Sequence, residues 1–258
     1  MIERIRTVLT DDERIQSAWL SGSLGKGQAD AQSDVDVTCV VEEEDLQACV
    51  AEYGGPRTPL GPVAHQMVVY GRVAANTDPD WTRFDLTFVT TIEFRRVDPA
   101  TVKPLVRATR PPGGKTVDIV MSAERIADIA REFIRVLGLL PVAVERREWL
   151  VGLEGEALLR RMTIDLMVEK NGKTSQRGGV KRLNAFLTPD QQAALEASAA
   201  IAPTREGLVS ASQAMAALFL PLARDLVEAR GGTWPQGWED ATRDHLRRSL
   251  GVEISASR

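Results

Sequence analysis

Between residue 17 and about residue 97 the apolar positions fall in short alternating runs, at 35–41, 63–70 and 83–89, each broken by Gly, Pro, Asn or Asp. Period-two alternation bounded by turn formers predicts strands. Between the first two runs Leu46, Cys49 and Val50 keep helical spacing and Gly54-Gly55-Pro56 supplies a stop, which predicts a helix over 42–53. Past Arg110-Pro111-Pro112-Gly113-Gly114 the period changes. Ile126, Ile129, Ala130, Phe133, Ile134 and Leu137 recur every 3.6 residues behind Ser122 and Arg125, which mark a helix start. Further helices are expected over 157–169, 180–186, 189–200, 208–229 and 238–250, with Pro203 and Gly231-Gly232 as breaks. The pattern therefore reads as an α+β domain with a mixed sheet over 1–115, followed by an all-α helical bundle domain over 116–258, the boundary falling between Arg110 and Ser122. No internal repeat is seen, and the small and polar residues after Leu250 are expected to fray.

Composition narrows the function classes. With 36 acidic and 32 basic residues the net charge is -4, so no whole-molecule positive field is available to hold nucleic acid by its phosphates. Cys39 and Cys49 are the only thiols, too few for a disulfide framework or a four-cysteine zinc site, and a reducing cytoplasm is the expected compartment. Met1-Ile2-Glu3-Arg4 interleaves acid and base before any apolar run, and no run of ~20 apolar residues follows, so neither a signal peptide nor a membrane partner is expected.

The chemistry concentrates between Trp19 and Val41. A strand through Trp19 and Leu20 gives way to the small-residue turn Ser21-Gly22-Ser23-Leu24-Gly25-Lys26-Gly27, then a polar connection, then a second strand opening at Ser33-Asp34-Val35-Asp36. Gly22 and Ser23 allow backbone and hydroxyl to approach a ligand closely, and such turns present N–H groups to phosphate oxygens. Strand alternation puts Asp34 and Asp36 on one face and Val35, Val37, Cys39 and Val41 on the other. Two carboxylates on one face repel each other, a cost relieved by a hard divalent cation such as Mg²⁺ shared with a nucleotide. In 83–89, Phe84, Leu86 and Phe88 form an apolar face and leave Asp85 on the polar one with Thr87. A sheet that set Asp85 beside Asp34 and Asp36 would make it a third metal ligand or a general base for an attacking hydroxyl.

Gly-Ser, nine residues, Ser-Asp-x-Asp and a later strand acid together resemble the active-site signature of the polymerase-β-like nucleotidyltransferases. Ser21 to Gly27 with Ser33-Asp34-Val35-Asp36 looks more narrowly like the aminoglycoside and lincosamide nucleotidyltransferases of bacteria, in which a mixed-sheet catalytic domain precedes a helical one. The resemblance implies transfer of a nucleoside monophosphate from a Mg-bound nucleoside triphosphate, with ATP expected, to a hydroxyl of a small acceptor such as an antibiotic, in a cleft between the two domains. It implies that Gly22, Ser23, Lys26 and Ser33 bind the nucleotide, that Asp34 and Asp36 hold Mg²⁺, two ions in all with the triphosphate, and that Asp85 takes the third-acid position. Several antibiotic-modifying members carry Glu where Asp36 or Asp85 stands here. A monomer or homodimer is expected. Transfer to a protein acceptor, or a nucleotide-binding regulatory module, would share the same residues.

The Gly-broken run 169–183 carries Lys170, Lys173, Arg177, Lys181 and Arg182, cations suited to a triphosphate. It is similar to the lysine-bearing segment of helical domains in this family, and Lys181, one turn inside the expected helix, is the residue chosen from it. Elsewhere plainer readings prevail. His65 and His245 lack metal-ligand spacing and read as surface residues, Glu145 and Glu148 as solvated, and Trp81, Trp149, Trp234 and Trp238 as packing residues. The run from Leu139 to Val142 reads as interhelical core.

Overall fold

The computed structural model describes residues 1–56, 58–77, 80–117, 119–174, 183–198 and 200–254. They divide into two units, Met1–Thr116 and Val117–Arg258. The first is built on a six-stranded mixed sheet with helices and the second is helical, so the chain is α+β followed by all-α.

In the first unit the elements run α1 (Ile2–Asp11), β1 (Ser17–Leu20), α2 (Gly22–Gly25), β2 (Val35–Val41), α3 (Glu43–Tyr53), β3 (Val63–Val69), β4 (Arg72–Thr77), β5 (Arg83–Thr90), α4 (Thr91–Phe94), a 3₁₀ turn (Pro99–Thr101) and β6 (Lys103–Val106). The sheet order is β3-β4-β5-β2-β1-β6. β2 and β5 pair in parallel at its centre and the other pairs are antiparallel. The expected strands and the helix after β2 are all present. α1, β4 and β6 are additions to the pattern reading.

Alternation decides what each face of the sheet carries. Val35, Val37, Cys39 and Val41 of β2 with Phe84, Leu86 and Phe88 of β5 face a core completed by Ile5 and Leu9 of α1 and Cys49 and Tyr53 of α3. The opposite face is only half covered. Over β1 and the far end of β2 a second cluster of Trp19, Val40, Phe94 and Val102 closes it, with Trp19 and Phe94 ring centroids 5.3 Å apart. The near end of this face carries Asp36 and Asp85, both half-buried.

The second unit comprises α5 (Ala123–Leu137), α6 (Leu140–Glu145), α7 (Trp149–Lys170), α8 (Leu183–Phe186), α9 (Pro189–Ala197), α10 (Arg205–Ala229) and α11 (Gln236–Leu250). Ser122 caps α5 by accepting the Arg125 N–H, and Gly251 in the left-handed region closes α11. Phe133 of α5 stacks on Phe219 of α10 at 3.8 Å between centroids. Gly152 lets α7 approach α10 closely, since a Cβ there would lie 2.4 Å from Leu208 Cδ1. By length and composition α10 could cross a membrane, but Leu208, Met215, Phe219 and Val227 bury it in the helical core. Three carboxylates among the described residues of this unit are buried, Glu156, Glu169 and Glu239, and Glu169 pairs with Arg230 at 2.6 Å. Glu156 of α7 accepts a hydrogen bond from Ser212 of α10, and its Oε2 has no partner among the described residues. Burial pushes its carboxyl up to about 7, against the lowering effect of Ser212. Burial also acts to raise Glu239, but hydrogen bonds from Arg243, Trp234 and Arg224 outweigh it and hold that carboxyl below its ordinary value.

Three expectations are corrected here. Leu139 and Val142 are exposed, because α6 is a short helix of which only the Leu140, Pro141, Ala143 and Val144 side is buried. Trp81 and Trp238 are more than half exposed, so packing accounts for Trp234 and Trp149 only. The helix expected from residue 157 begins at Trp149, extended by Leu150 and Val151, which lie on its exposed side. The small-residue turn expected after Leu20 takes the form of a single helical turn.

Candidate active site

Asp34, Asp36 and Asp85 come together at one end of the central strands of the sheet. One carboxylate oxygen from each lies within 4.8 Å of the other two, and all three residues are half-buried. The parallel register explains the meeting. Asp36 of β2 is the direct cross-strand partner of Asp85 of β5, so their side chains leave the same face side by side. Asp34 stands two residues before Asp36 and shares its face. Three anions at this separation form a set of hard oxygen donors of the kind that binds a divalent cation.

The Gly-Ser turn is built against this cluster. The Ser21 N–H donates to Asp36 O at 2.9 Å, which fastens the turn to β2 where the carboxylates emerge. Gly22 has φ +56, and a Cβ on it would fall 1.9 Å from Asp36 Oδ2 and 2.7 Å from its Cγ. Glycine is thus required twice, by backbone conformation and by contact with the carboxylate. Ser23 Oγ is buried and has no hydrogen-bond partner among the described residues. Leaving such a hydroxyl unpaired costs roughly 1–3 kcal/mol, a cost that a ligand oxygen would remove. The turn is seated from below by Gly25, whose absent Cβ would lie 2.2 Å from Thr101 O of the 3₁₀ turn.

The remaining expected residues are placed less directly. Ser33 is taken up by its own loop, where Oγ accepts the Asp30 N–H at 2.9 Å and donates to Asp30 Oδ1. Lys26 caps the end of α2 and is exposed. Lys181, with Arg177 and Arg182, lies outside the described residues. Glu145, Glu148 and His65 are exposed, and His245 is half-buried on α11 beside Ser249.

Arg72 is a residue the pattern reading misses. Its Nη1 stands 3.4 Å from Asp85 Oδ2, and it leaves β4 opposite Thr87, on the same sheet face as the carboxylates. Tyr70-Gly71, with φ +49 and +77, joins β3 to β4 as a two-residue hairpin turn. That dipeptide is the signal in the sequence that could have revealed β4 and with it Arg72. Arg83, two residues before Asp85, donates to Gln32 O at 2.7 Å and ties the loop before Asp34 to β5.

Residues 2–69 match the family model described as a nucleotidyltransferase domain. The match takes in α1, the Gly22–Ser23 turn, Asp34 and Asp36, and ends before Asp85. No curated protein matches the sequence significantly. Among solved structures the chain is similar to an aminoglycoside 6-adenyltransferase from Bacillus subtilis, at 15% identity over 95% of each chain and a TM-score of 0.47. Residues 2–69, which hold the Gly-Ser turn, Asp34 and Asp36, are thus similar to a nucleotidyltransferase domain of the polymerase-β-like type.

Proposed function

We propose that this protein transfers a nucleoside monophosphate from a Mg-bound nucleoside triphosphate, ATP first, to a hydroxyl of a small acceptor. The observation that carries this reading is the convergence of Asp34, Asp36 and Asp85 beside a Gly-Ser turn whose Ser23 hydroxyl lacks a partner among the described residues. The donor set fits the metal, because the three residues bring hard carboxylate oxygens within 4.8 Å of one another. Asp34 and Asp36 would hold the cation. When bound, Mg²⁺ neutralises triphosphate charge and polarises the phosphorus under attack.

The chain's own groups do the rest. Ser23 Oγ donates to a phosphate oxygen, and the amides opening α2, which have no intrahelical acceptor, do the same. Gly22 keeps that turn in contact with Asp36, so triphosphate and metal ligands are held in one geometry. Asp85 takes the proton of the acceptor hydroxyl as its oxygen bonds to the α-phosphorus, while the bond from that phosphorus to the bridging oxygen breaks and pyrophosphate leaves. Arg72, whose Nη1 lies 3.4 Å from Asp85 Oδ2, positions that carboxylate.

The acceptor is a small hydroxylated compound, and an aminoglycoside or a lincosamide is the first to test. The deciding experiment is a screen of nucleoside triphosphates against small hydroxyl compounds, read as Mg-dependent pyrophosphate release. Release that requires an acceptor supports the reading. No release with any acceptor, from a protein shown to bind Mg-nucleotide, would overturn it.

A further inference from the structure

The transfer chemistry leaves a second concavity of the N-terminal unit unused. It is a cavity of about 180 Å³ at the opposite end of β1 and β2, floored by Val40 and Phe94. Val40 lies four residues beyond Asp36 on the same strand, roughly 13 Å away at ~3.3 Å per residue. Arg95, Arg107 and Arg110 line it, with Ser17 and Thr109 adding hydroxyls, while the Thr91 hydroxyl donates to Gln16 Oε1. No carboxylate lines it among the described residues, although the whole chain carries net negative charge. The nearest acid in the hydrogen-bond network is Glu42, which receives the amide of the lining residue Gln16.

The walls of this cavity are built rather than incidental. Arg107 sits at φ +46, a backbone conformation costly for a residue with a side chain, and its guanidinium donates to Thr10 O, Asp12 O and Ile15 O. It thereby caps the carbonyl end of α1 and fixes one cation at the rim. The segment after it is the Pro-Pro-Gly-Gly stretch that marks the end of the sheet pattern in the sequence. Gly113 N–H donates to Arg95 O and Gly114 N–H to Val97 O, and Gly114 lies so close that a Cβ would fall 2.0 Å from Arg96 O. Pro111 and Pro112 form a stiff side of the cavity, which Arg95 and Arg110 also line.

We propose that this cavity binds a small phosphate oxyanion at a site separate from the triphosphate turn. Guanidinium forks match phosphate oxygens two at a time, and hydroxyl donors complete the shell. At about 180 Å³ the cavity has room for orthophosphate or pyrophosphate. The proposal stands on the cavity alone and is independent of the transfer reaction.

Calorimetric titration of the full chain with orthophosphate and with pyrophosphate, in EDTA and at matched ionic strength, tests it. One saturable site per chain is expected. Arg95→Gln combined with Arg110→Gln should weaken it at least about tenfold, the scale of losing charge-assisted hydrogen bonds. The Arg95→Lys and Arg110→Lys pair should recover part of that loss, and thermal melts would verify that both pairs are folded. Ser23→Ala and Asp36→Asn should leave the site unchanged. Tighter binding of pyrophosphate would mark the ligand as a reaction product, and tighter binding of orthophosphate as an anion taken from solution; either sustains the site. Absence of saturable binding, unchanged affinity in the double glutamine variant, or loss of binding in Ser23→Ala would overturn it, the last by relocating the anion to the triphosphate turn.

Discussion

Gly22 and Asp36 are in contact through the one residue type that permits it, since a Cβ on Gly22 would lie 1.9 Å from Asp36 Oδ2. Gly22→Ala is therefore expected to push the turn and the carboxylate apart. Misplacement on the ångström scale costs about 10²-fold in rate, and the left-handed backbone adds roughly 1–2 kcal/mol of instability. Pyrophosphate release beside a thermal melt would check both, and a folded variant with wild-type turnover would show that the contact does not position the cation site.

Asp34→Asn and Asp36→Asn each remove a negative donor while keeping shape. Turnover should fall at least about 10²-fold, and the melting temperature without metal should hold or rise because three crowded carboxylates repel. Mg²⁺ and nucleoside triphosphate together should stabilise the wild type by more than the sum of either alone, and that surplus should vanish in both variants. Differential scanning fluorimetry with the four ligand conditions reads the effect.

Asp85→Asn separates base from ligand. As the base, Asp85 supports the chemical step, so turnover should drop by about 10²–10⁴-fold with Mg-nucleotide affinity nearly unchanged. A parallel loss of affinity would assign the residue to the cation instead. Nucleotide titration and single-turnover rates on the same preparation make the distinction.

Arg72→Gln should act on rate and not on fold. The pair with Asp85 is half open to water on the arginine side, so its removal should change stability by less than about 0.5 kcal/mol. A lower kcat with an unaltered melt, partly restored by Arg72→Lys, is the expected result. Equal kinetics in all three proteins would take Arg72 out of the site.

Glu156 sets a pH dependence in the helical unit. Its folded-state pKa, near 7, stands above the unfolded value, so the protonated form is favoured by the fold. That contribution is complete below about pH 4.5 and is lost as pH rises through about 7, at roughly 1.4 kcal/mol per unit in between. Glu156→Gln should flatten this decline in urea-unfolding free energy. Glu239 has the opposite sign: its lowered pKa contributes stability above the unfolded value, lost as pH falls through the folded one.

The acidic cluster is legible in sequence because alternation alone assigns Asp36 and Asp85 to polar strand faces. What alternation does not carry is register, and it is the parallel pairing of β2 with β5 that sets the two side by side. β4 reads weakly because Val73, Ala74 and Ala75 are small and contiguous, so Arg72 escapes notice with it. β6 contains Pro104, which argues against a strand in the middle of a sheet and is tolerated here at its edge. Trp81 and Trp238 illustrate a different limit: an aromatic residue is not obliged to be inside.

The seat of Gly25 on Thr101 has a consequence for the order in which the site matures during synthesis. All three carboxylates have been made by residue 90, and the Gly-Ser turn long before, yet the carbonyl that supports the turn and the strand that flanks β1 come only with residues 99–106. A nascent chain released at residue 95 would hold every acid of the cluster beside an unsupported Gly-Ser turn. Triphosphate binding should emerge abruptly, once the chain passes about residue 106, rather than gradually as the acids are added.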